Sequence, residues 1–388
     1  MPIVNRIADF APDMTAWRRH LHANPEINFE CHDTAAFVVE RLKSFGITNI
    51  HTGIATSGVI AVIEGQGDSD RILGLRADFD ALPMDELTGL EYASTRSGAM
   101  HACGHDGHTT MLLGAARYLA ETRNFAGKIV LIFQPAEEGG GGAGVMVEEG
   151  VLDQFGITEV YALHNLPGLE MGHFTTNTGP IMAAVDTFRI NITGEGGHGA
   201  MPHETKDPIA ALLSIGNALQ TIVSRNHRAV DELVVSITQV HSGSAENVIP
   251  EGAQIIGTVR TFNSDVQDMV ERRMQEITQG YGAAHEVRVD LNYERGYPAT
   301  VNEEAATGFA VSVASEIAGE ASVNSDADRE MGAEDFSYFL EHRPGSYLFL
   351  GQGPGPGLHH PGYDFNDEVA PIGASFFARL VETAQPVR

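Results

Sequence analysis

The run His101-Ala102-Cys103-Gly104-His105-Asp106-Gly107-His108 places three imidazoles, a thiol and a carboxylate side by side. No hydrophobic core needs that mixture. Thiolate and imidazole are the donors that borderline-soft divalent cations such as zinc select. The glycines let the backbone bend so that neighbouring side chains converge. The run reads as the floor of a metal site. Other parts of the chain must then supply further donors, a base and a place for substrate.

A second stretch, Gln134-Pro135-Ala136-Glu137-Glu138 followed by four glycines, sits after the apolar run Lys128–Phe133. In open α/β sheets ligands bind at the carboxyl ends of strands. One glutamate of the pair can hold a cation while the other takes a proton from water; the plain alternative is two solvated carboxylates. No Lys-Ser/Thr follows the glycines, which argues against a phosphate loop. His164 ends the apolar run Val160–Leu163, where a histidine is otherwise a hydrogen-bonded core residue. His359 and His360 lie in a Gly/Pro-rich loop, and only one of them need face a cation. Cys103, His105, Glu138, His164 and one of His359/His360 thus offer five donors. A single tetrahedral catalytic zinc takes three plus water. Five suit two cations roughly 3.5–4 Å apart that share a water. Asp80 can orient a histidine ligand by accepting its second N–H, or it and Asp78 cap a turn. Farther on, Gly194–His203 is a loop with two histidines. Arg260, in an alternating strand, is either a carboxylate clamp or a surface ion-pair partner.

Positioning these groups requires a scaffold, and the apolar spacing outlines one. Ile7, Phe10, Met14, Trp17 and Leu21 predict a helix over 4–22, and Asp33 reads as the N-cap of a helix running to Ser44. Gly58–Glu64, Arg71–Arg76, Lys128–Phe133 and Val160–Leu163 read as buried strands, with a helix over Thr109–Thr122. Strands alternating with helices predict a mainly parallel sheet covered on both faces. From about residue 183 the style changes. Val185–Ile192, Leu233–Val240, Ala253–Phe262 and Glu286–Tyr293 read as strands, most with half-exposed alternation, around helices at Pro208–Ser224 and Val266–Tyr281, a small α+β domain. The first style returns with helices near Glu303–Ala318, Ala333–Glu341 and Ala370–Thr383 and a strand at Ser346–Leu350. The expected architecture is α/β: a catalytic domain of residues 1–182 plus 295–388, interrupted by an inserted α+β lid domain at 183–294.

Composition narrows the function. The 388 residues carry 52 acidic against 24 Lys/Arg side chains, a net charge of −28. Such a chain repels nucleic acid and anionic membranes. Two cysteines, Cys31 and Cys103, make no disulfide framework and suggest a reducing compartment. No signal-peptide core or membrane-length apolar run is visible, so the expected location is cytoplasmic.

With these motifs laid out, the chain closely resembles the bacterial hippurate hydrolase / N-acyl-amino-acid amidohydrolase family. That family also contains plant hydrolases of auxin–amino-acid conjugates, within a wider group of two-metal peptidases that includes aminoacylase and carboxypeptidase G. The resemblance spans essentially the whole chain, through His101–Thr109, Gln134–Ala143, His164–Pro167, Gly194–Pro208, Ala333–Phe336 and Leu358–Asp367. It implies Cys103, His105, Glu138, His164 and His359 as ligands of two divalent cations; by donor chemistry the thiol favours zinc, while the oxygen- and nitrogen-rich remainder accepts manganese, cobalt or nickel. His359 is preferred over His360 because the family pattern is His, any residue, Pro. The resemblance implies Glu137 as general base, Asp80 as orienting aspartate and His198 as a lid histidine that steadies the oxyanion, within its own subunit or a partner's. It implies Asn247 and Arg260 as contacts to the substrate's α-carboxylate. The wider group has a histidine ligand two residues before the orienting aspartate; here Asp78 stands there, and Cys103 with His105 matches the amidohydrolase branch.

The implied reaction is hydrolysis of small N-acyl amino acids, hippurate-like or acetylated, to a carboxylic acid and a free amino acid by metal-activated water. The implied assembly is a homo-oligomer, dimer or tetramer. Rival readings are N-acetyl-diaminopimelate deacetylase or dipeptidase activity on the same scaffold, a non-catalytic metal binder, and a thiol enzyme using Cys103 as nucleophile.

Overall fold

The computed structural model describes residues 4–387. They fold as two compact units. One gathers the described residues up to Ile181, Thr300–Arg329 and those from Asp335 onward; the other takes Met182–Ala299 with Glu330–Glu334.

The first unit opens with two helices, α1 (Asn5–Ala8) and α2 (Ala11–Ala23), where the apolar spacing predicts one. Pro12 is the reason. It has no N–H to give the carbonyl of Ala8, yet it fits the first turn of a new helix. Helix α3 (His32–Ser44) begins before Asp33, whose side chain does not cap it but pairs with Arg96 at 2.6 Å. An edge hairpin follows: β1 (Asn49–Ile54) runs antiparallel to β2 (Gly58–Glu64). Its turn holds Ala55 and Thr56 at φ of 45° and 71°. Neither is a residue that announces a left-handed turn, and β1 is not evident in the sequence. Next come β3 (Leu73–Asp78), α4 (His105–Thr122), β4 (Lys128–Gln134) and β5 (Glu159–Pro167).

The main sheet has eight strands, ordered β1, β2, β4, β3, β5, Gly345–Gly353, then the two-residue strands Phe174–Thr175 and Val323–Asn324. Its centre is parallel, from β4 through β3 and β5 to Gly345–Gly353. Strands β1 and β2 close one side antiparallel. Central strands of such a sheet are buried on both faces, which is why they read as unbroken apolar runs. Met111, Leu112 and Leu119 of α4 and Phe376, Phe377 and Leu380 of the final helix, Ala370–Ala384, belong to one core with Leu75, Leu131 and Leu163 of the sheet. Each such side chain contributes roughly 1.5–3 kcal/mol by leaving water.

One predicted helix shrinks. Ala333–Glu341 is helical only as Ser337–His342. Asp335 is instead a buried anchor, accepting from Arg76 Nη2 at 2.9 Å, Gln134 Nε2 at 2.8 Å and Ala143 N at 2.9 Å.

The second unit is a four-stranded antiparallel sheet in the order Leu233–Ser242, Gly252–Thr261, Ala184–Thr193, Arg288–Arg295. Ala184–Thr193 alternates between buried and more exposed positions. Its inward side chains Phe188, Ile190 and Ile192 share a core with Leu212, Ile215 and Leu219 of helix Pro208–Thr221 and with Val270 and Met274 of helix Ser264–Ala284. Asp207 caps the first helix by accepting from Ile209 N at 2.8 Å, and Asn263 caps the second through Asp265 N at 2.7 Å. Residues 295–299 and Glu330–Glu334 join this unit through main-chain bonds such as Gly296 N to Val185 O at 2.9 Å and Ala183 N to Glu330 O at 3.1 Å.

Candidate metal centre

Parallel strands deliver their carboxyl ends to one sheet edge. The register Asp78↔Gln134 and Arg76↔Ala162 sets the ends of β3, β4 and β5 side by side. From them come Asp78 and Asp80, then Glu137 and Glu138, then His164.

Helix α4 begins at His105 rather than at Thr109, so His105, Asp106 and His108 occupy its first turn. Gly104 precedes it at φ 94°. That bend turns Cys103 and His105 toward the same space. After β4, Ala136 takes φ 57°, a conformation uncommon for a residue with a Cβ. The carboxylate of Asp80 holds the next two residues, accepting from Glu137 N at 2.9 Å and Glu138 N at 3.1 Å. Asp80 does reach His105, but mainly through its main chain. His105 Nδ1 lies 2.9 Å from Asp80 O and 3.6 Å from Asp80 Oδ1.

The donors converge. Cys103 Sγ is 3.5 Å from His164 Nε2. His105 Nε2 is 3.7 Å from Glu138 Oε1, which is 3.4 Å from His359 Nε2. Ligand atoms of Cys103, His105 and His164 fall within 4.8 Å of one another, as do those of Cys103, Glu138 and His359, and those of His105, Glu137 and Glu138. Cys103 is 7% exposed, whereas the His359 side chain is 55% exposed, so the cluster runs from the interior to solvent. His360 is occupied in its own turn, its Nδ1 accepting from Gly362 N at 3.0 Å.

Residues 74–383 match the model of peptidase family M20/M25/M40. The chain belongs to this family. The M20 chain is 44% identical over 369 residues to an N-acetyl-L-cysteine deacetylase of Bacillus subtilis, covering 95% of this chain and 86% of that protein. It is 40% identical to a hippurate hydrolase of Campylobacter jejuni, covering 98% of each. Among solved structures it is similar to a dinuclear metal binding peptidase of the M20 family from Bacillus subtilis, with a TM-score of 0.85, 33% identity and coverage of 97% and 98%. The M20 chain is therefore an enzyme of a hydrolase family that acts on amides.

Does the M20 cluster suit cations? A buried atom at its centre, His105 Nε2, makes no hydrogen bond among the described residues, and burying such a polar atom is costly unless a partner is supplied. His164 Nδ1 lies 2.7 Å from Asn165 O, a contact only an N–H can satisfy, so Nε2 carries the lone pair. The field points the same way. Burial opposes a charge on His105, yet the carboxylates of Asp78, Asp80 and Glu138 push its pKa up to about 10. The surroundings demand a positive charge at that point. Burial together with Glu138, Glu137 and Asp78 drives the Cys103 thiol well above its ordinary range. A cation would reverse that by binding the thiolate. Two donor trios sharing Cys103 fit two divalent cations.

Beneath the M20 cluster lies a network that motif reading misses. Asp78 Oδ1 is 2.6 Å from His108 Nδ1, and Asp78 Oδ2 accepts from Arg76 Nη1 at 2.6 Å. Burial opposes ionisation of Asp78, but Arg76, His105 and His108 hold it well below the usual carboxylate range. The ring of His108 lies 5.3 Å from that of His105 and 4.5 Å from that of His164. Asn165 Oδ1 is 2.7 Å from His108 Nε2. The signal was present in Arg76, a charged residue inside an apolar strand.

Of the remaining predicted residues, His198, Asn247 and Arg260 belong to the second unit. His198 pairs with Val248, and its Nδ1 accepts from Ala200 N at 3.0 Å, which leaves Nε2–H outward as a donor. Asn247 O accepts from Gly199 N at 2.8 Å. Arg260 donates to Met331 O at 3.2 Å and Val259 O at 3.0 Å. Burial pulls its pKa down. The nearby Asp186 carboxylate opposes that shift in part, and a half-buried guanidinium can still take a bidentate anion.

Proposed function

We propose that the protein is a metal-dependent amidohydrolase that cleaves small N-acyl amino acids to a carboxylic acid and a free amino acid. The observation that carries this reading is the buried donor cluster set beside Glu137. Glu137 Oε2 stands 3.9 Å from His105 Nε2, next to Glu138 in sequence and outside the Cys103–His105–His164 trio. The reading is supported by the relatives, whose names describe removal of an acyl group from an amino acid.

In this reading Cys103, His105, Glu138, His164 and His359 hold two cations, zinc or manganese. Bound there, they polarise the amide carbonyl and lower the pKa of water. Glu137 takes a proton from the attacking water and returns it to the departing amine. Asp80 fixes the Glu137–Glu138 backbone. We assign His198 as a donor to the developing oxyanion, and Asn247 and Arg260 as contacts to the substrate carboxylate. The thiol reading is disfavoured, because the surroundings of Cys103 keep a free thiol protonated and so poorly nucleophilic.

The test is Glu137→Gln, assayed on benzoyl-glycine, acetylated amino acids and dipeptides. Metal content should match the wild type while turnover falls roughly 10²- to 10⁴-fold. Undiminished turnover would overturn the role of Glu137. Wild-type activity confined to dipeptides would replace the substrate class.

A further inference from the structure

We propose that Arg18 is a positioning residue that fixes the His359 segment against the start of α4, and so sets the affinity for the cation held by Glu138 and His359. This rests on the ligand roles proposed above for His105 and His359.

Arg18 lies on α2, yet it is 1% exposed. An arginine is seldom buried without something specific to hold. Here it holds three carboxylates from two segments. Nε donates to Asp367 Oδ1 at 2.7 Å, and Nη1 donates to Asp364 Oδ1 at 2.9 Å. Nη1 also stands 3.8 Å from Asp106 Oδ2. Asp106 follows His105 in the first turn of α4, while Asp364 and Asp367 end the segment that begins at Leu358-His359. One planar guanidinium therefore touches both of the segments that carry the cluster's donors on its helix and loop sides. Its fixed fork sets their spacing in a way a flexible ammonium would not. The contact is itself braced. The Tyr92 ring lies 4.6 Å from the Arg18 guanidinium, and its hydroxyl donates to Asp364 Oδ2 at 2.8 Å. His22 Nδ1 lies 2.8 Å from Asp106 Oδ2.

His359 needs such bracing. It is a non-glycine residue at φ 60°. That left-handed conformation is strained for a residue with a Cβ and persists only where the surroundings enforce it. The imidazole is more than half exposed, so packing does not enforce it. The backbone does: His359 N donates to Ala102 O, and Leu87 N to Pro361 O, each at 2.8 Å. Beyond Pro361 the segment is tied down by the Tyr363 hydroxyl, which accepts from Asn165 Nδ2 at 2.8 Å, and by Arg18. Arg19 shares Asp367 at 3.0 Å, but Asp364 is held by Arg18 and Tyr92.

The experiment compares metal-free wild type, Arg18→Met, Arg18→Lys, Asp364→Asn and His359→Ala. Each is titrated with Co²⁺, following the thiolate-to-cobalt charge-transfer band and the d–d bands, with folding checked by circular dichroism. Wild type should bind in two steps. In Arg18→Met one step is expected to keep wild-type affinity while the other, the step that His359→Ala also weakens, falls roughly 10–100-fold. His359→Ala should weaken the same step. Asp364→Asn should move it in the same direction by less, and Arg18→Lys should not restore it. Unchanged steps in both Arg18→Met and Asp364→Asn, with one step lost in His359→Ala, would sink the proposal while leaving the ligand reading intact. So would equal weakening of both steps, which a merely structural role predicts. If Arg18→Met does not fold, Asp364→Asn decides alone. If His359→Ala binds both ions normally, the ligand reading falls, and the role of Arg18 with it.

Discussion

Cys103 is where the two donor trios overlap, and it is the one soft donor in a cluster otherwise built of imidazole and carboxylate. Its size matters little to the fold, since serine would fill nearly the same space. Its sulfur matters to the choice of ion. Cys103→Ser is expected to melt like the wild type when metal-free, to lose zinc affinity by on the order of tenfold or more, and to lose less affinity for manganese, which prefers oxygen and nitrogen donors. Competition against a chelator for each metal measures both. Equal losses for the two metals would show that the thiol does not govern selectivity. At the same scale Glu137 and Glu138 illustrate what chemistry-bearing residues disclose in a sequence. Their types and adjacency were legible. Their division of labour comes from the family resemblance, and the 3.4 Å between Glu138 Oε1 and His359 Nε2 supports it.

Elements place these residues, and their ends do most of the placing. Gly104 stands at φ 94° just before α4, and a Cβ there would collide with Asn165 Oδ1 and the Tyr363 hydroxyl. Gly104→Ala should therefore destabilise the fold by roughly 1–3 kcal/mol and also weaken metal binding, because Asn165, which it displaces, follows His164 and contacts His108. Urea unfolding with and without metal separates the two effects. Strand and helix interiors were legible from apolar spacing: β2 and the helix Glu304–Ala318 lie within a residue of where the sequence puts them. Ends were less so. The first turn of α4 is polar because it faces the cluster, so its residues look like loop. The helix expected from Ala333 begins only at Ser337, because burial of Asp335 against Arg76 and Gln134 outweighs local preference. Arg18 falls on a helix whose apolar face is plain, and the usual reading of its charge is a solvent-facing side chain; nothing local says that Asp364 and Asp367 will come to meet it.

For the whole molecule, the buried charges that organise the cluster also tie stability to pH. Burial opposes a charge on His22, but hydrogen bonds to Asp106 and Glu86 outweigh it and raise its pKa to about 9. The unfolded chain releases that proton near pH ~6.5. A raised pKa means the stabilisation is complete below about pH 6.5, fades as pH rises toward 9 and is gone above it, with a total on the order of 3 kcal/mol. Urea unfolding of metal-free wild type and His22→Gln should show a stability difference at pH 6 that shrinks by pH 9.5. A difference that stays constant would mean His22 is not charged in the fold. The assignment of Glu330–Glu334 to the second unit was not legible, because it depends on main-chain bonds to Ala183, far away in sequence.

The run of the donor cluster from interior to surface has a kinetic meaning. His105 and His164 are enclosed, whereas His359 stands more than half in water on a backbone held in place from a distance. A competing chelator meets His359 first. Two ions in one cluster would then leave on separate clocks, the outer one exchanging quickly with the surroundings and the inner one waiting for the protein to open. The supply of metal in solution would set the occupancy of one position, and the history of folding that of the other.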